Sequence, residues 1–189
     1  MKSNPKAFST IISSTTETAL QRSIIINEHS IIDGKEVTWL DIELPVDTHR
    51  KARRRCIDLI GKTDDEYIIC ELKFGKDSAT DPPYDAKAEV ESYMQAIKYN
   101  HEELDKKDNI HHTNGKHFYW KDVAEKGRPI IAANDTYWKY WREHRKVPVP
   151  TEIPCYSLNI DVSYFKQLRK DSLYYEPTIK ELIWTRLKE

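Results

Sequence analysis

The stretch RRRCIDLIGKTDDEYIICELK, residues 53–73, decides how this chain is read. Its two arms, CIDLI (56–60) and YIICELK (67–73), are rich in β-branched and aromatic residues, and the segment between them, GKTDDE, is polar and turn-forming. The pattern predicts a β-hairpin. A hairpin symmetric about that turn sets Ile60 opposite Tyr67 and Asp58 opposite Ile69. Alternation along a strand puts Ile69, Glu71 and Lys73 on one face, with Asp58 on the same face and diagonal to Glu71. Two acids and a lysine thus converge at one end of an otherwise apolar strand pair.

Such a convergence has few stable explanations. Two carboxylates held close repel each other, and one takes up a proton unless a cation stands between them. Lys73 supplies one positive charge. A hard divalent metal supplies more, and oxygen ligands at this density suit magnesium or manganese. A metal so held can lower the pKa of a bound water and offset charge building on a phosphate, while Lys73 orients or deprotonates the water or stabilises the transition state. The plainer account is a salt-bridged sheet edge with Glu71 and Lys73 in solvent.

Asp58, followed after residues 59–70 by Glu71-Leu72-Lys73, resembles the core motif of the PD-(D/E)xK nuclease superfamily, with Ile57 where the motif's name has proline. Gln95 and Tyr99, downstream, resemble the QxxxY motif of its exonuclease-type branch. The resemblance covers roughly residues 15–135. It implies an α/β fold with a restriction-endonuclease-like core: a central mixed four-stranded sheet flanked by helices, with C-terminal additions. It also implies a magnesium- or manganese-dependent deoxyribonuclease in which Asp58 and Glu71 hold the metal, Lys73 and Gln95 assist catalysis, and Tyr99 meets the DNA backbone. A glutamate on the first helix often joins the metal site in this superfamily; Glu17 is the candidate and Glu28 the reserve. Repair, or defence against foreign DNA, is the implied role. The alternative is a module of the same fold that binds nucleic acid or assembles without cutting.

The chain around the hairpin fits one domain over its 189 residues, long enough for a substantial core. A formal net charge of −1 gives no global signal for a polyanion, so DNA binding must use local positive charge. The run His49-Arg50-Lys51-Ala52-Arg53-Arg54-Arg55, directly before the Asp58 strand, supplies it, and Lys76 adds to it; the duller reading is a solvated strand entrance. Three cysteines without CxxC spacing suggest reduced thiols and a cytoplasmic protein. No run is apolar enough to span a membrane, and the N-terminus lacks the apolar centre of a signal peptide. Sequence-specific cutting would need a second copy or a protein partner.

The remaining elements follow from periodicity. A helix is expected over 15–28, then a turn at Asp33-Gly34-Lys35-Glu36. A strand over 37–44 should place Thr38, Leu40, Ile42 and Leu44 on one face and Asp41 with Glu43 on the polar one. A helix over 85–105 should bury Ala86, Val90, Tyr93, Met94 and Ile97. His111, His112 and His117 lack zinc-site spacing. A buried strand over 130–134 should lie parallel to its neighbour, reached by the helical crossover. An aromatic, basic helix over 137–145 and a strand over 155–160 follow. Helices over 163–170 and 178–188 should close the fold, the last burying Ile179, Leu182, Ile183 and Leu187.

Overall fold

The computed structural model describes residues 16–48, 55–75, 81–106, 118–160 and 182–188. Helix α1 (Thr16–Asn27) leads into strands β1 (His29–Ile32), β2 (Lys35–Pro45), β3 (Cys56–Lys62) and β4 (Tyr67–Lys73). Helices α2 (Pro83–Lys106) and α3 (Trp120–Lys126) precede β5 (Gly127–Asn134). A short α4 (Asp135–Lys139) continues into a π-helical turn (Tyr140–His144), and β6 (Cys155–Leu158) and β7 (Trp184–Arg186) complete the described chain.

These strands form one mixed seven-stranded sheet in chain order from β1 to β7. The meander β1–β4 and the β6–β7 pair are antiparallel; β4–β5 and β5–β6 are parallel. The sheet curls until β1 touches β7, and the Trp39 and Trp184 rings stack with centroids 5.5 Å apart. The expected four-stranded central sheet is therefore wrong: the sheet is a nearly closed, barrel-like surface of seven strands.

Local chemistry explains both missed edges. Asp33 and Gly34 have φ of 51° and 78°, the left-handed pair of a tight hairpin turn, so HSII before them pairs back on KEVT as β1. At the other end, the helix expected over 178–188 is corrected in its described part. Trp184 pairs with Leu158 and Arg186 with Tyr156, and Ile183 is exposed rather than buried. Three residues of strand are fixed by their partner, not by local periodicity. The helix expected over 163–170, the histidine-rich segment with His111, His112 and His117, and Ile179 lie outside the described residues.

Strand β2 departs from simple alternation. Trp39 pairs with Gly61 but Asp41 with Ile60, so Leu40 is an inserted bulge residue that flips the phase. Trp39 packs on the α1 side and Leu40 on the α2 side, and Asp41 is fully buried instead of sharing a solvated face with Glu43. Gly61 is what admits the Trp39 ring: a Cβ there would lie 2.8 Å from Trp39 Cε3 and 2.6 Å from Val37 Cγ1.

Apolar cores fill both sides of the sheet. On the α2 side, Tyr67 and Ile69 meet Ala86, Val90, Tyr93, Met94 and Ile97, which is the expected helical stripe. On the α1 side, Ile68, Cys70 and Leu72 meet Leu20, Ile24 and Ile25. Strand β4 is buried at every position, because it is central and covered on both faces. Glu71 and Lys73 therefore sit inside the molecule, at 3% and 7% exposure, and not on a solvated edge.

Candidate active site

The β3–β4 hairpin is tighter than expected. Lys62 pairs with Tyr67 and Ile60 with Ile69, a two-residue shift in register. The turn closes on Thr63, whose N–H donates to the Glu66 carbonyl at 2.9 Å and whose hydroxyl accepts the N–H groups of Asp65 and Glu66. A shift of two preserves side-chain parity, so Asp58 stays in phase with Glu71. The pairing reaches Leu59 and Cys70, and beyond it Asp58 Oδ2 accepts the Leu72 N–H at 2.8 Å. The Asp58 carboxylate thus holds the two strands together where their backbone ladder stops.

Around that point four elements bring polar groups together. From β4, Lys73 Nζ lies 2.7 Å from Glu71 Oε1. From α2, Glu89 Oε2 lies 2.7 Å from the same ammonium, and Asp81, just ahead of the helix, lies 3.8 Å from it. From α1, Gln21 Nε2 donates to Asp58 Oδ1 at 2.9 Å, and Glu17 Oε2 accepts the Phe74 N–H at 3.1 Å. Glu71 Oε2 is buried without a hydrogen bond of ordinary geometry, although Tyr93 and Glu89 lie close enough to couple to it. The cluster lies at the C-terminal ends of the parallel strands β4 and β5, a common position for a ligand crevice. The residue beside Lys73 on β5 is the small Ala133.

The chain leaving Lys73 is clamped. Asn134, fully buried, accepts the Gly75 N–H at 2.8 Å and donates to the Gly75 carbonyl at 3.1 Å, and its side chain also caps α4 at Tyr137. A Cβ on Gly75 would lie 2.5 Å from Tyr137 Cα, so only glycine allows this approach. The Tyr137 hydroxyl in turn donates to the Asp81 carbonyl at 2.8 Å, fixing the start of α2.

Five carboxyls around one ammonium shape the titration. Burial, then the charge of Asp58, pushes Glu71 up to about 10. Burial also raises Asp58, to about 7, against the hydrogen bond from Leu72 N–H. Glu17 is raised, again chiefly by burial. Glu89 is the exception: burial opposes its charge, but hydrogen bonds from Glu71 and Lys73 outweigh that and hold it below the usual carboxylate range. Burial disfavours the Lys73 charge too, yet Glu71 and Glu89 overcome it and lift the amine above its ordinary value. Lys73 is consequently a fixed cation and hydrogen-bond donor, and a poor base.

The residues expected at the site divide clearly. Asp58, Glu71, Lys73 and Glu17 come together. Glu28 does not: it ends α1 in the left-handed conformation, φ 62°, with an exposed side chain. On α2 the face toward the cluster carries Glu89 and Tyr93, one turn apart, whereas Gln95 is exposed and Tyr99 is 89% exposed. Arg55 is engaged structurally: its Nε donates to Asp47 Oδ1 at 2.9 Å and its Nη1 to the Ser92 carbonyl at 3.3 Å. Arg50, Lys51, Arg53, Arg54 and Lys76 lie outside the described residues. Sequence reasoning missed Glu89, Gln21 and Asn134. For Glu89 a signal existed: it stands four residues before a buried tyrosine, beside the apolar stripe.

Among the described residues no group of three or more His, Cys, Asp or Glu side chains is arranged as a metal-ligating set. The donor chemistry nevertheless suits a hard cation: all-oxygen carboxylates, pKa values raised chiefly by burial, and, among the described residues, one ammonium against five acids. Cys56, Cys70 and Cys155 are free thiols, and no helix among the described residues is long and apolar enough to cross a membrane. No protein-family model, curated protein or solved structure matches this chain.

Proposed function

We propose that this chain is a metal-dependent nuclease that hydrolyses DNA phosphodiester bonds, with a site of the PD-(D/E)xK kind. The observation that carries the reading is the Lys73 ammonium, held 2.7 Å from Glu71 at the end of a buried strand with Asp58 in phase on the preceding one. Asp58 and Glu71 would hold magnesium or manganese, with Glu17 beside them. When bound, the ion supplies positive charge for the phosphate and a water of lowered pKa. Lys73 directs its N–H donors at the attacking water or a phosphoryl oxygen and stays charged as negative charge builds there. Gln21 and the Leu72 N–H fix the rotamer of Asp58. Water attacks phosphorus in line, and the 3′ oxygen leaves.

In this reading Arg50, Lys51, Arg53, Arg54 and Lys76 carry the phosphate contacts, and a second copy or a partner protein supplies any sequence specificity. The free thiols fit a cytoplasmic setting, in repair or in defence against foreign DNA. A second reading, a binding or assembly module without cleavage, draws on the saturation of Lys73 by two carboxylates, which a purely structural ion-pair network also produces. Incubation of linear, circular and single-stranded DNA with magnesium, manganese or EDTA, for wild type and Lys73→Ala, separates the two. The nuclease reading expects metal-dependent cutting that the substitution abolishes. DNA binding without cutting under any condition would leave the module.

A further inference from the structure

We propose that Glu89 is a positioning residue for Lys73: from helix α2 it holds the ammonium off its own strand, at the place where a phosphate would be met. This rests on reading the cluster as a phosphodiesterase site. Glu71 and Lys73 share a face of β4, and with Glu71 as its sole partner the ammonium would fold back along the strand. The second contact, 2.7 Å to Glu89 Oε2, comes from a different element and pulls Nζ toward α2.

Glu71 and Glu89 grip the ammonium at the same distance, 2.7 Å, from two different elements, and Asp81 stands 3.8 Å away as a further partner. The contact from α2 comes from a side chain that is 43% exposed, so this side of the ammonium faces solvent. It is also rigidly supported. Ala86, Val90, Tyr93 and Ile97 seat α2 on the sheet, and Tyr137 ties down the chain at Asp81, ahead of the helix. Lysine has four flexible side-chain torsions, and fixing Nζ from two directions removes that freedom before substrate arrives. Because Glu89 is the partly exposed member of the pair that grips Lys73, substrate entering from solvent meets this side of the ammonium first.

The test uses the whole chain as wild type, Glu89→Gln and Glu89→Asp, with the thermal unfolding midpoint as a check that each is folded. Two quantities are read: the side-chain ammonium signal of Lys73 in proton–nitrogen NMR, assigned with Lys73→Ala, and kcat and KM for magnesium-dependent cleavage of linear DNA. The isosteric Glu89→Gln should lose the slow-exchanging ammonium signal and lower kcat about ten- to a hundredfold at unchanged KM. Glu89→Asp, which keeps the charge, should recover part of both. A folded Glu89→Gln that keeps its kcat overturns the inference, whether or not the signal is lost. If wild type cleaves nothing, the nuclease reading and the catalytic role of Glu89 both fall. In that case the ammonium signal still decides whether Glu89 holds the lysine.

Discussion

At the scale of single residues, the account turns on carboxyls that the fold makes reluctant to ionise. Asp58 binds its proton more tightly in the folded chain than in the unfolded one, with its value raised to about 7. Between the ordinary aspartate range and that value the folded state carries the extra proton. Stability from this group is therefore full at acid pH and is lost as pH rises through about 7. In metal-free protein the unfolding midpoint should fall between about pH 4 and about pH 7, Glu71 adding to the same fall, and Asp58→Asn should make it shallower. An unchanged slope in the variant would remove Asp58 as its source. Lys73→Ala should lower any cleavage rate by at least about a hundredfold, because it removes the buried fixed charge at the centre of the cluster; a rate within about threefold of wild type would refute that role. These residues were legible because chemistry-bearing side chains recur at fixed spacing on alternating strands. Glu89 and Gln21 were less so: each is contributed by a helix whose approach to β4 is a tertiary fact. Glu17 was legible only as one of two glutamates on the first helix, and the left-handed Glu28 at its end decides between them.

At the scale of elements, the Asn134 clamp determines where β4 stops and α4 starts. Asn134→Ala removes two hydrogen bonds to Gly75 and a helix cap, and leaves a buried N–H unsatisfied. The expected loss is about 2–4 kcal/mol in urea unfolding; a loss under about 0.5 kcal/mol would mean that the clamp is not stabilising. Helices α1 and α2 and strands β3 to β5 were readable from period and composition. The β3–β4 register was misjudged by two residues because Thr63 closes a shorter turn than symmetry suggests. The bulge at Leu40 was invisible for a related reason: alternation assumes one phase along the whole strand, and the glycine that lets Trp39 change sides stands on the neighbouring one. Strand β7 shows the limit of periodicity most plainly, since its apolar spacing also suits a helix and only β6 selects the strand.

At the scale of the whole molecule, closure of the sheet joins distant parts of the sequence. Asp33, in the β1–β2 turn, accepts a hydrogen bond from the Tyr156 hydroxyl at 2.6 Å and lies 3.4 Å from Arg128 and 3.6 Å from Arg186. Arg128 also reaches Glu66, in the β3–β4 turn, at 3.2 Å. With the Trp39–Trp184 stack, this network draws the first and last strands together. Trp184→Ala should cost about 3–5 kcal/mol in urea unfolding and expose the C-terminal strand to limited proteolysis. A cost below about 1 kcal/mol would show that closure contributes little to the fold. None of this was accessible from the sequence, where each strand could be judged only against its neighbours in the chain.

The same closure leaves the acidic cluster at the C-terminal ends of β4 and β5, where the proposed function requires a divalent ion to be held. Calorimetric titration of metal-free protein with manganese, for wild type and Glu71→Gln, tests that claim most directly. The account predicts saturable binding near one ion per chain in wild type, lost in the variant although it remains folded. Equal binding by both proteins, or none by wild type, would contradict it.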